Sequence, residues 1–79
     1  MVQAYILVQT EVGKAGAVAQ AIAELESGIT TAEDVTGPYD VIVRAEAGTM
    51  DELGRLVIAK IQVIDGITRT LTCPIVHFE

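Results

Sequence analysis

The stretch ITTAEDVTGPYDVIVRAEA, residues 29–47, decides how this chain folds. Its centre, TGPYD (36–40), sets a turn-forming Gly37-Pro38 pair beside a phenol and a carboxylate. Both flanks are rich in apolar and β-branched residues, so the whole reads as two strands joined by a turn. Val41–Ala47 is the firmer strand, with Arg44 and Glu46 on one side and Val41, Val43, Ala45 and Ala47 on the other. Ile29–Thr36 carries Glu33-Asp34, poor strand material, and is read as extended from its flanks and short length.

Working outward, Val2–Thr10 (VQAYILVQT) places Ala4, Ile6 and Val8 on one face and Gln3, Tyr5, Leu7 and Gln9 on the other, a strand with both faces at least partly buried. Gly13 and Gly16 break that pattern. In AVAQAIAELE the apolar Val18, Ile22 and Leu25 then recur at helical spacing, which predicts an amphipathic helix ending near Ser27-Gly28 with glycine in the left-handed cap conformation. On the other side of the hairpin, Thr49-Met50-Asp51-Glu52 has the spacing of a capping box and opens a second helix. Its stripe runs through Leu53, Leu56, Val57, Lys60, Ile61 and Ile64 to a stop at Asp65-Gly66. ITRTLTCPIVHFE then alternates Thr68, Thr70 and Thr72 with Ile67, Arg69, Leu71 and Cys73, until Pro74 demands a bulge or an edge position.

Strand, helix, strand, strand, helix, strand is the split βαβ order. It predicts an α+β, ferredoxin-like βαββαβ fold: a four-stranded antiparallel sheet, two helices on one face, and the first and third strands in the centre through right-handed crossovers. The face without helices, expected to carry apolar and Thr residues from several strands, would be an exposed patch in a monomer. A dimeric α+β sandwich follows, with a second copy covering that face.

Composition bounds the rest. The 79 residues suit one domain, 1–79, and 51% hydrophobic against 20% charged residues describes a folded chain. A domain of this size buries only about 60% of its unfolded surface and leans on a supplement to its core. Cys73 is the only cysteine and His77 the only histidine, so neither an intrachain disulfide nor a histidine-rich zinc site supplies it, leaving self-association. With a net charge of −6 and five scattered cations, the chain lacks the concentrated basic surface that direct nucleic-acid binding needs. No apolar run could span a membrane, and the N-terminus reads as a strand rather than a signal peptide, so a cytoplasmic location is expected.

Candidate chemistry is sparse. His77 has no orienting partner in the sequence, and Cys73 has no cation or helix N-terminus nearby to activate it. VGKAG (12–16) fails the phosphate-loop spacing and reads as a strand-to-helix turn, and Glu33-Asp34 lacks further metal-ligand spacing. No cofactor motif is present. TGPYD alone also reads as structure: Gly37 supplies unusual backbone angles, Pro38 fixes φ, Tyr39 covers the core edge, and Asp40 bonds a nearby backbone N–H. The second reading comes from TRTLT (68–72), where Thr70 and Thr72 present hydroxyls on one face of a strand.

AYILVQTEVG at the start, VTGPYDVIV (35–43) in the middle and IQVIDGITRTLT (61–72) near the end together resemble the ligand-binding (RAM) domain of Lrp/AsnC transcription regulators, in the family's order and spacing over nearly the whole chain. The resemblance implies a stand-alone effector domain without the helix-turn-helix half. It also implies dimers assembled into a ring, with an amino-acid effector between dimers, and co-assembly with full-length relatives. By motif, the ligand-binding positions are Gly37, Pro38, Tyr39 and Asp40, with Thr70 and Thr72 from a neighbouring subunit. Pro38 departs from the acid that many relatives carry before the tyrosine, and brings neither charge nor N–H. Asp40 suits an ammonium group, while loop N–H groups and threonine hydroxyls suit a carboxylate. Two other readings stand beside this one: a small dimeric α+β-barrel enzyme using His77, Asp40 or Tyr39, and a purely structural oligomerisation module.

Overall fold

The computed structural model describes residues 1–25 and 28–76. β1 (Val2–Thr10), β2 (Ile29–Asp34), β3 (Val41–Ala47) and β4 (Ile67–Pro74) form one antiparallel sheet in the order β2-β3-β1-β4. The first and third strands are central, as the crossover rule requires. α1 (Ala15–Ala23) and α2 (Met50–Leu56) complete the ferredoxin-like α+β fold.

Alternation in β1 and β3 fixes which side is core. Ala4, Ile6 and Val8 are fully buried and pair with Ala45, Val43 and Val41, which are equally buried. Val18 and Ile22 of α1 close over them, joined by Leu53, Val57 and Ile61 from the second helical segment. Among the described residues no polar or charged side chain is buried, so the core is held by apolar burial alone.

Thr49 caps α2 as its spacing predicts, its Oγ1 accepting from the Glu52 N–H at 3.1 Å. The reciprocal half of the box reaches one residue further back, Glu52 Oε2 accepting from the Gly48 N–H at 3.0 Å. After Leu56 the helix does not continue as α but passes into a π turn over Val57–Ile61, where the Gln62 N–H reaches the Val57 carbonyl at 2.8 Å.

Three boundaries differ from the sequence expectation. α1 starts at Ala15 and stops at Ala23, because the Leu25 N–H turns back to the Ile22 carbonyl and Leu25 drops onto the core. Gly28 does take the left-handed conformation, at φ 87°, but it stands beyond the helix end, and the Ser27 half of the expected cap lies outside the described residues. β2 ends at Asp34, two residues short of Thr36. The register irregularity of β4 falls at Thr68, between the pairs Gln9↔Arg69 and Thr10↔Ile67, while Pro74 sits at the end of the edge strand, where a missing N–H is tolerated.

A fourth difference changes the two faces. Thr70 pairs with Val8 and Thr72 with Ile6, so both hydroxyls share the helix side and not the open face. The open face instead carries a row across three strands, Ile42–Leu7–Leu71, beside a second row, Arg44–Tyr5–Cys73. Tyr5 and Leu71 remain about two-fifths exposed at 40% and 41%, so an apolar strip does face outward, without the expected threonines of β4.

Candidate functional site

The Val35–Asp40 loop is tied down almost entirely by its last residue. Asp40 donates its N–H to the Val8 carbonyl at 2.9 Å, and its own carbonyl accepts from the Val35 N–H at 2.8 Å. One carboxylate oxygen, Oδ2, accepts from the Thr10 N–H at 2.8 Å. That donor faces the β3 side one step past the last β1–β3 pair, Val8↔Val41, so it would otherwise lack a ladder partner. Gln9 Nε2 adds a bond to the Pro38 carbonyl at 3.2 Å. Gly37 stands at φ 148°, a backbone conformation open chiefly to glycine, which lets the chain reverse before Pro38.

Gly37, Pro38 and Tyr39 line a shallow hollow of about 290 Å³ on the open face, with Leu7, Val35 and Ile42 as its apolar wall. Asp40 is half-buried at its edge of the sheet, with Oδ2 engaged as described.

Thr70 and Thr72 stand elsewhere. They line a groove of about 340 Å³ between the helical segment and β4, opposite Met50, Gly54, Val57 and Ile58. The helices pack over β2, β3 and β1, which leaves this flank of the edge strand uncovered. Gln62, delivered to the groove by the π turn, donates from Nε2 to Thr70 Oγ1 at 2.8 Å. A smaller polar hollow continues past Gln62 and Thr70 along Thr68 and Arg69.

One chain therefore holds the sequence-selected residues in two separate places. Gly37, Pro38 and Tyr39 line the open-face hollow, Thr70 and Thr72 line the helix-side groove, and no side-chain hydrogen bond joins the sets among the described residues. Sequence reasoning misses Gln62 and Thr10. Nothing local in VIAKIQ announces a π turn, and the need for Thr10 to find an acceptor emerges only once the β1–β3 ladder is known to end at Val8. His77, the candidate general base, lies outside the described residues, and Cys73 is a half-buried thiol on the open-face row, opposite Tyr5. No group of three or more metal-ligating side chains converges among the described residues.

The fold and the two hollows describe a small α+β binding domain whose concave features lie on opposite faces of one sheet. The chain belongs to the Lrp/AsnC ligand binding domain family, whose profile matches residues 3–77. Among solved structures it is similar to TTHA0845 from Thermus thermophilus, at 29% identity and TM-score 0.90, covering 100% of this chain and 98% of that one. It is likewise similar to the hypothetical protein PHS023 from Pyrococcus horikoshii, at 31% identity and TM-score 0.87, covering 99% of this chain and 93% of that one. The transcriptional regulator NMB0573 from Neisseria meningitidis, solved as a complex with L-Met, shares the fold at 17% identity and TM-score 0.83 over 96% of this chain and 50% of its own. A comparison with curated proteins finds no match.

Proposed function

We propose that residues 1–79 act as one effector-binding and oligomerisation module of transcription-regulator type, which binds an amino acid where subunits meet. The observation that carries this reading is the separation of the two residue sets. The loop of Gly37, Pro38, Tyr39 and Asp40 and the hydroxyls of Thr70 and Thr72 sit on opposite faces of one sheet, so a site using both needs two copies of the chain. Family membership supports ligand binding, and the NMB0573 complex supports an amino acid as the class of ligand.

In this reading the Ile42–Leu7–Leu71 row packs against the same row of a second copy, and such dimers associate further into a ring. Asp40, through the oxygen that Thr10 leaves free, takes the effector's ammonium group. Thr70 and Thr72 of a neighbouring subunit donate to its carboxylate. Charge-assisted hydrogen bonds contribute about 1.5–3 kcal/mol each, so micromolar affinity requires several acting in a preformed pocket. The bonds that fix Asp40 supply that preorganisation. The module is a binder rather than a catalyst, acts in the cytoplasm without a direct grip on nucleic acid, and reaches its genes by co-assembly with full-length relatives. Among the described residues no helix is long and apolar enough to cross a membrane.

Calorimetric titration with a panel of amino acids, alongside light scattering with and without the same panel, tests both halves. Heat from at least one amino acid and a mass of a dimer or more are expected; a monomer that gives no heat with any of them overturns the reading. The purely structural reading of the loop has one observation in its favour, the Thr10–Asp40 bond, which gives Asp40 work to do without any ligand.

A further inference from the structure

β4 is an edge strand, and its pairing with β1 determines which of its main-chain groups are used. The Ile75 N–H donates to the Gln3 carbonyl at 2.8 Å, so these two residues are a hydrogen-bonded pair of the antiparallel ladder. Such pairs alternate with non-bonded ones. Cys73, Leu71 and Arg69 therefore turn their N–H and C=O groups toward β1, while those of Thr70 and Thr72 point out of the sheet. Pro74 shares that outward parity, and the donor it lacks is one the β1–β4 ladder does not need.

The two edges of the sheet are guarded differently. β2 carries the exposed acids Glu33 and Asp34, which keep other strands off an open edge. β4 has no charged residue between Thr70 and Cys73. Its guards stand only at the ends of that window, the register irregularity at Thr68 and Pro74, so they fix where a further strand can pair rather than preventing it. A twofold axis beside Leu71 sets Thr70 opposite Thr72 of a second copy and Thr72 opposite its Thr70, and each pair then exchanges both main-chain bonds. Leu71, 41% exposed, meets Leu71 of the second copy at a non-bonded position, where side chains stand closest. The open-face row Ile42–Leu7–Leu71 then runs on through the same three residues of that copy. This continuity of the apolar row selects a second copy as the occupant of the edge.

We propose that the β4 edges of two copies pair antiparallel about Leu71, joining two four-stranded sheets into one, and that this is the contact through which face-to-face dimers associate further. The proposal rests on the oligomerisation half of the reading above and not on its amino-acid half. Face and edge are two different twofold contacts on one chain, and alternating them builds a ring when the rotations close. A few main-chain bonds make too small a contact to hold two free chains, so the edge acts between dimers, each of which presents two edges. The hydroxyls of Thr70 and Thr72 stay on the helix side, and the groove they line remains open.

Disulfide trapping reads the register directly. Pairing about Leu71 places Arg69 opposite Cys73 of the second copy, again at a non-bonded position, where a Cα separation of about 4.5 Å suits a disulfide. Inside one chain the two positions lie about 13–14 Å apart along the strand and cannot be bridged. Under mild oxidation Arg69→Cys is expected to run mainly as a disulfide-linked dimer on a non-reducing gel, while the unaltered chain and Arg69→Cys with Cys73→Ser stay unlinked. The unaltered chain should also show a light-scattering mass above that of a dimer. Adding Thr72→Pro, which removes an outward N–H and leaves the ladder to β1 intact, should abolish the trapped species and lower the mass to that of the face dimer. A chain that stays a dimer at every concentration, or trapping that survives Thr72→Pro, overturns the edge contact while the face dimer stands, and leaves the edge to an extended segment of another protein. If Thr72→Pro fails to fold, the thiol variants still decide: equal trapping with and without Cys73→Ser overturns the register. A monomeric chain removes the oligomerisation reading, and the edge contact with it.

Discussion

The carboxylate of Asp40 and the backbone N–H of Thr10 are 2.8 Å apart, thirty residues distant in sequence, at the point where β1 changes register against β4. The bond joins the β2–β3 loop to the end of a central strand. Asp40 therefore has two oxygens with two destinies in the proposed reading: Oδ2 holds the fold, and the other is the one assigned to a ligand. A substitution at this position disturbs both unless the two roles are separated chemically.

Asparagine separates them. Asp40→Asn keeps a carbonyl that can accept from Thr10 while removing the negative charge, whereas Asp40→Ala leaves the Thr10 N–H in a part-buried place without its acceptor. The alanine variant should lose about 1–3 kcal/mol in urea unfolding, and the asparagine variant well under half of that. Both should lose most of their calorimetric affinity for amino acids. Asparagine binding as tightly as the parent would show that the charge has no ligand to meet.

Leu7 stands in the middle of the open-face row, paired with Ile42 on one side and Leu71 on the other. A charge there would have to be desolvated if a second copy covers the strip, a penalty of several kcal/mol without a counter-charge. Leu7→Asp should reduce the mass seen by light scattering to that of a monomer while the far-ultraviolet circular dichroism stays that of an α+β fold. A dimer that survives the change would place the contact on another surface.

How far the sequence reaches is visible in the same strands. β1 and β3 keep their expected bounds, because strict alternation over a fully buried side leaves only one register with Ala4, Ile6 and Val8 inside. The family is equally legible from its three motifs. The π turn is not. Leu53, Val57 and Ile61 are spaced by four, and in an α-helix each such step drifts by about 40°, so Ile61 would swing off the core. Underwinding after Leu56 returns it, a demand set by the sheet below rather than by any local residue preference. The face taken by Thr70 and Thr72 is hidden for a related reason: alternation shows that they share a face, but only their pairing with Val8 and Ile6 says which.

Gly37 offers a test of the loop that leaves its charges alone. An added methyl would touch nothing within 4 Å, so any effect of Gly37→Ala comes from the backbone at φ 148°. Holding alanine in that region costs about 1–3 kcal/mol, and the loop can avoid part of this by shifting. The expected result is a loss of about 1 kcal/mol or more in urea unfolding, with amino-acid affinity falling further than stability because Pro38 and Tyr39 move with the turn. Unchanged stability would mean that the free protein does not hold this turn.

Tyr5 and Arg44 face each other across β1 and β3 on the open side, the guanidinium donating to the phenol at 2.9 Å and standing 5.4 Å from the ring centroid. Two contacts thus join one pair: a hydrogen bond to a charged donor and a cation–π approach. At an exposed position the cation–π part contributes about 0.5–1 kcal/mol, rising to about 2 when water is excluded. Tyr5→Phe removes only the first contact, and Tyr5→Ala removes both. In a double-mutant cycle with Arg44→Ala, the coupling should be near the lower figure at protein concentrations where the chain is monomeric. It should rise toward the upper one where the dimer forms, if the sheet face is what a second copy covers. A coupling that does not change with protein concentration would show that this pair stays in water in every assembly the chain forms.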